Sequence, residues 1–139
     1  MALARLKKRS EFLRVAQAKI VAKTPTMVIQ CCLAQAATDQ NSEVKVGFTA
    51  SRRVGNAIKR NRAKRRLRAL VDKGLSQKIS EVLGHTYLPC DLVFIAVPMT
   101  VTADSQQLAK DFSVGVKRCL TQLKPSPALV FEETEEEPL

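Results

Sequence analysis

The sequence predicts a single α+β sandwich, and three observations carry that reading. Residues 26–33, 44–49 and 92–97 are rich in β-branched and apolar residues and bounded by Pro, Gly or polar connections, so they read as strands. A long helical pattern lies between the second and third of them, which implies a βαβ-type unit rather than a helical bundle. Finally, 139 residues that are 45% hydrophobic fit one domain whose core needs neither disulfide nor metal.

Each element follows in order. Residues 1–9 form a basic arm with Arg5, Lys7, Lys8 and Arg9. Behind Ser10, a candidate N-cap, Phe12, Leu13, Ala16 and Ile20 recur at helical spacing, which places a first helix up to about Lys19. Thr24-Pro25 ends it. The stretches 26–33 and 44–49, joined by a polar connection at 34–42, are expected to pair as adjacent antiparallel strands. Gly55-Asn56 then opens a helix, with the Asn56 side chain free to accept from a first-turn N–H, and Lys73-Gly74 is its expected stop. A second short helical segment is expected at 75–83 through Ile79, Val82 and Leu83. The apolar run 92–99 is a buried strand, far short of the ~20 residues a membrane helix needs. Ala103-Asp104-Ser105 starts a last helix carrying Leu108, Phe112, Val116, Leu120 and Leu123, and Pro125 and Pro127 stop it. The domain spans 1–124. Residues 125–139 read as a disordered acidic tail.

Charge supplies the functional signal. No acid occurs between Lys45 and Asp72, and nine of the seventeen residues from Arg52 to Arg68 are basic. Placed on a helix, Ala63, Leu67, Leu70 and Val71 form one narrow apolar stripe. The rest of the circumference offers Asn61, Arg62, Lys64, Arg65, Arg66 and Arg68. Arg60/Lys64/Arg68 and Arg62/Arg66 are like-charge i,i+4 sets, each costing a few tenths of a kcal/mol in an isolated helix, whereas a merely solvated face interleaves both signs. Phosphate backbones favour such density because binding releases condensed counterions, and arginine predominates, as suits bidentate phosphate contacts. The net charge is +10, and five of the thirteen acids lie in 132–137, so the body is nearer +15. The expected partner is a nucleic acid.

Other chemistry has little support. Cys31, Cys32, Cys90 and Cys119 lack CxxC spacing, and His85 is the only histidine, so the thiols read as reduced core residues and His85 as a loop residue. As neighbours on a strand, Cys31 and Cys32 point to opposite faces. No secretory signal is visible after the basic arm, which makes the cytoplasm the expected compartment. Neither a nucleophile–base pair nor a carboxylate cluster stands near the basic stretch, and Asp91 and Asp104 are too weak a pair for a metal site.

The stretch Val46-Gly47-Phe48-Thr49-Ala50-Ser51-Arg52-Arg53-Val54-Gly55-Asn56-Ala57, followed by Lys59-Arg60-Asn61-Arg62-Ala63-Lys64-Arg65-Arg66-Leu67-Arg68, resembles the strand and arginine-asparagine-arginine helix of the bacterial ribonuclease P protein family. Leu6-Lys7-Lys8-Arg9-Ser10-Glu11-Phe12 resembles its N-terminal element and Asp91-Leu92-Val93-Phe94-Ile95-Ala96 its last strand, so the likeness spans about 5–123. The resemblance implies an αβββαβα fold with a left-handed crossover around the arginine helix, and a third short strand near 20–23. It implies that Lys59, Arg60, Asn61, Arg62, Lys64, Arg65 and Arg68 bind the ribonuclease P RNA. Phe12, Val15, Ser51, Arg52 and Arg53 would line a cleft for the single-stranded 5′ leader of precursor tRNA; for Phe12, a plain core position is the rival. It also implies an endoribonuclease subunit with no catalytic residue and no metal ligand of its own, Mg²⁺ being held mainly by the RNA. No membrane and no obligate protein partner is expected. The chain departs from the family pattern at Ala16, where an aromatic is common, at Lys19, near a common glycine, and at Val97, where arginine is common. A shallower, less aromatic leader cleft follows. Two alternatives remain: a non-catalytic structured-RNA-binding or ribosome-assembly protein, and, more weakly, a helix-in-groove DNA regulator.

Overall fold

A computed structural model describes residues 3–34, 44–84 and 89–123; His85 and the acidic tail lie outside the described residues. The elements are β1 (Leu3–Arg5), α1 (Arg9–Gln17), β2 (Ile20–Lys23), β3 (Met27–Leu33), β4 (Val44–Ala50), a 3₁₀ turn (Arg52–Val54), α2 (Ala57–Leu83), β5 (Cys90–Ala96), α3 (Pro98–Thr102) and α4 (Ser105–Leu123). With β1 and α3 set aside, the order is the expected αβββαβα, and the short strand at Ile20–Lys23 is present.

The five strands form one mixed sheet in the order β1-β4-β5-β3-β2. β3 and β4 are therefore not neighbours, contrary to the expected antiparallel pair. β5 lies between them, antiparallel to β3 and parallel to β4. The reason is visible in its residues: Leu92, Val93, Phe94 and Ala96 are all buried, and a strand apolar on both sides belongs in the middle of a sheet covered on both faces. The N-terminal arm is also more than an arm. Leu3–Arg5 pairs parallel with β4, the Leu6 N–H donates to the Val46 carbonyl at 3.0 Å, and the Arg5 guanidinium lies 5.0 Å from the Phe48 ring centroid.

Strand register sorts the side chains into two faces. Toward α2 and α4 point the rows Met27–Ala96–Ala50, Ile29–Phe94–Phe48 and Cys31–Leu92–Val46, which build the main core with stacked Phe48, Phe94 and Phe112. Toward α1 point Cys32–Asp91–Lys45, Gln30–Val93–Gly47 and Val28–Ile95–Thr49. Cys31 and Cys32 thus do face opposite sides, and all four thiols are buried and unpaired. The hydrogen bond with Cys119 and then burial push the Cys31 thiol up, and burial pushes Cys90 up to about 12, which keeps both protonated.

Helix boundaries differ from expectation in α1 and α2, and Ile20, expected on the spacing of the first helix, opens β2 after α1 ends at Gln17. α2 runs through Gly74 without a break, because Leu75, Ile79 and Leu83 extend the buried series Ala63, Leu67 and Val71 at four-residue spacing; continuous packing outweighs the ~1 kcal/mol cost of an interior glycine. α1 begins at Arg9 rather than after Ser10. Lys8 is the N-cap residue, and the Glu11 carboxylate accepts from the Lys7 and Lys8 N–H groups, each at 2.9 Å. The Asn56 cap stands as expected, Oδ1 accepting from Lys59 N at 3.0 Å, and within the expected start signal 103–105 it is Asp104 whose Oδ1 accepts from Gln107 N at 2.8 Å.

Candidate nucleic-acid interface

The basic face of α2 is set by its buried stripe. Because Ala63 and Leu67 are fully buried against the sheet, Lys59, Asn61, Arg62 and Arg65 are exposed, while Arg60, Lys64 and Arg68 are half-buried along the flanks. Arg60 also donates to the Gly55 carbonyl at 3.4 Å, which holds it beside the helix start. Arg66 leaves this set. Its guanidinium turns inward and donates to the Thr100, Val101 and Ala103 carbonyls at 2.9, 2.8 and 2.6 Å, tying α3 to α2. Charge count alone could not separate Arg66 from Arg65, since the separation depends on α3, an element that its Pro at the first helical position signals only weakly.

The 3₁₀ turn extends the basic surface to the end of β4. Ser51, Arg52 and Arg53 are exposed, and Ser51 Oγ accepts from Arg53 N at 3.3 Å, so the hydroxyl fixes the turn. Gly55 closes it at φ 141°, a region that favours glycine, and a Cβ there would meet the Lys59 side chain at 2.7 Å.

On the opposite face α1 covers only part of the sheet. Val15 is fully buried with Leu6, Cys32 and Val93 and presents no surface to a ligand; it anchors α1. Phe12 is half-buried over Gly47, where a Cβ would lie 2.4 Å from the ring, so the glycine makes the seat for the aromatic. The row Val28–Ile95–Thr49 stays half-buried beyond α1 and leads along β4 to Ser51. Strand register alone brings these three together, and sequence reading missed them. Arg14 pins the other end of α1: it pairs with Asp91 and donates to the Leu33 carbonyl at 2.9 Å and to Cys32 Sγ at 3.2 Å. The Asp91 side chain is only 3% exposed; burial pushes its carboxyl up, and the Arg14 guanidinium draws it back down.

Among the described residues no three His, Cys, Asp or Glu side chains gather where they could hold a metal ion, and no helix is long and apolar enough to cross a membrane. A small α+β sandwich with an arginine helix free of acids up to Asp72 on one side and a half-open sheet face on the other belongs to the class of RNA-binding proteins. The family model for ribonuclease P matches residues 2–120. The chain is 35% identical over 117 residues to the ribonuclease P protein component of Paramagnetospirillum magneticum, covering 84% of this chain and 82% of that protein. It is 36% identical over 112 residues to that of Caulobacter vibrioides, covering 81% and 68%. Among solved structures, the Staphylococcus aureus RNase P protein superposes with a TM-score of 0.63 at 21% identity, covering 81% of this chain and 92% of that one. The Thermotoga maritima RNase P protein gives 0.62 at 18%, covering 82% and 96%, and these two likenesses establish the fold. The chain belongs to the ribonuclease P protein-component family, RNA-binding proteins of tRNA processing. Membership does not favour the ribosome-assembly alternative.

Proposed function

We propose that this chain binds the ribonuclease P RNA through the outer face of α2 and carries the 5′ leader of precursor tRNA across the half-open face of its sheet, promoting 5′ maturation. The observation that carries the reading is the acid-free surface of Lys59, Arg60, Asn61, Arg62, Lys64, Arg65 and Arg68 on a helix held by its opposite stripe. Such a surface binds phosphates without reading bases, which suits a structured RNA recognised by its backbone. In the same proposal Phe12 offers a stacking edge, Arg52 and Arg53 phosphate contacts, and Val28, Ile95 and Thr49 the floor beneath the leader. Such contacts need no base code, as handling many leaders requires. Among the described residues no group of three His, Cys, Asp or Glu could hold Mg²⁺; in this proposal the ion is held mainly by the RNA, and bond breaking falls to the RNA subunit. The protein's part is to raise substrate affinity and to screen RNA–RNA repulsion.

The test is stimulation of precursor-tRNA cleavage by a bacterial ribonuclease P RNA at low Mg²⁺. Wild-type protein should stimulate it, and a folded Arg62→Ala/Arg65→Ala variant should do so only at higher protein concentration. A second arm addresses the leader: Phe12→Ala with Arg52→Ala should weaken holoenzyme binding of precursor tRNA and leave mature tRNA nearly unchanged. Equal losses for both ligands would place these residues in the RNA-subunit contact or the core.

A further inference from the structure

A cleft of about 290 Å³ opens beside the first turn of α2, lined by Val54, Lys59, Pro98, Met99, Val101 and Thr102. Its volume lies just below the ~300–1,000 Å³ of sites for drug-sized ligands, which suits a smaller planar group. The wall is mostly aliphatic, yet it stands in the most cationic part of the molecule. Met99 is 47% exposed, and Ile58, next to Lys59, is 78% exposed.

The cleft is rigidly built. Thr100 is fully buried; its hydroxyl donates to the Thr26 carbonyl at 2.6 Å and accepts from Val97 N at 2.9 Å. Arg66 grips the next carbonyls of α3 from below. On the other wall the Lys59 stem lies against the bare α-carbon of Gly55. Buried polar groups thus fix a five-residue helix whose outer side chains, Pro98 and Met99, remain in water. Such preorganisation suits an occupant that arrives apolar and flat with its charge alongside.

Charge decides what that occupant is. α2 carries no acid before Asp72, and Asp104, the acid nearest to α3 in the chain, is engaged in capping α4. An apolar protein segment would enter beside Lys59, Arg60 and Arg62 with nothing to neutralise them. An unstacked nucleobase brings an apolar face together with phosphates on either side. We propose that this cleft receives one unstacked nucleobase of the ribonuclease P RNA, packed between Met99 and the Val54–Val101 wall, with the Lys59 ammonium on a flanking phosphate. This rests on the reading that α2 binds that RNA, and it adds a site of another chemistry, one that takes a base where the arginines take phosphates.

The experiment uses the full chain, a bacterial ribonuclease P RNA transcript, and two variants, Met99→Ala and Arg65→Ala. Met99 is exposed, so its variant should melt like wild type. Since a thioether packed against an aromatic ring changes affinity by roughly 2- to 10-fold, Met99→Ala should raise the dissociation constant by about that factor with an unchanged salt slope. Chemical probing should show one nucleotide of the RNA protected by wild type and by Arg65→Ala but not by Met99→Ala. Unchanged affinity and footprint in Met99→Ala, with Arg65→Ala weakened, would overturn the base site and leave the α2 reading standing. If neither variant weakened binding, the α2 reading itself would fall. Protection that appears only after precursor tRNA is added would assign the cleft to the substrate and overturn the proposal as stated.

Discussion

Arg65 and Arg66 are adjacent in sequence and about 100° apart around α2, and the structure gives them opposite roles. Arg65 is exposed on the basic face, whereas Arg66 holds three carbonyls of α3 and its C-cap. A hydrogen bond to a charged group contributes about 1.5–3 kcal/mol net. The three share one half-buried guanidinium, and the freed carbonyls recover some water, so Arg66→Ala should cost roughly 2–4 kcal/mol of the ~5–15 that holds a domain together. At about 3 °C per kcal/mol for a chain of this size, the melting temperature should fall by roughly 6–12 °C. Arg65→Ala should move it by less than about 2 °C, as an exposed substitution within ~0.5 kcal/mol does. RNA binding should reverse the order: Arg65→Ala flattens the log–log salt dependence by about 0.7–0.9 per lost phosphate contact, and folded Arg66→Ala leaves the slope intact. Circular-dichroism melts and filter binding at several salt concentrations measure both quantities. Arg66→Lys should recover only part of the stability, because an ammonium cannot span three acceptors as a planar fork does. If the two alanine variants melted together, or if Arg66→Ala lost salt slope while keeping its melting temperature, the inward assignment of Arg66 would be wrong.

Further expectations follow from single residues. Leu67→Asp places a carboxylate at a fully buried point of the α2 stripe and should leave the domain unfolded at 37 °C, since an unpaired buried charge costs several kcal/mol; a native-like melting curve would show that α2 packs by another face. Lys19 adopts φ 59°, a left-handed conformation that costs a non-glycine residue about 1–2 kcal/mol. Against it stands the ~0.4–1 kcal/mol of extra unfolded-state freedom of glycine, so Lys19→Gly should stabilise the domain by roughly 0.5–1 kcal/mol in urea titration, and a loss of stability would refute the strain. Glu11 is held below its ordinary pKa, first by the Lys8 N–H and then by the Lys7 N–H. A depressed carboxyl adds stability above the unfolded pKa of about 4.3 and loses it as pH falls through the folded value. Glu11→Gln should therefore be less stable than wild type at pH 7, with the gap closing toward pH 3; a gap independent of pH would mean that the carboxylate charge contributes nothing to the cap.

Local chemistry was legible in the residues themselves. The strands, the capping side chains of Asn56 and Asp104, the buried stripe of α2 and the acid-free basic surface all follow from periodicity, propensity and charge within a few residues, and those forces act over the same short range. The family likeness rests on the same kind of contiguous stretch. What adjacency cannot encode, only the tertiary structure decided. β5 entered between β3 and β4 because a strand apolar on both faces must be covered on both. α2 ran past Gly74 because its stripe kept finding core. Arg66 left the basic face because α3, more than thirty residues on in the chain, placed three carbonyls within its reach. The row Val28–Ile95–Thr49 likewise exists only through register, drawing one residue from each of three strands that are distant in sequence. Burial and hydrogen bonding between distant segments settle which of several identical side chains faces the ligand and which holds the fold, and a linear pattern treats those side chains alike.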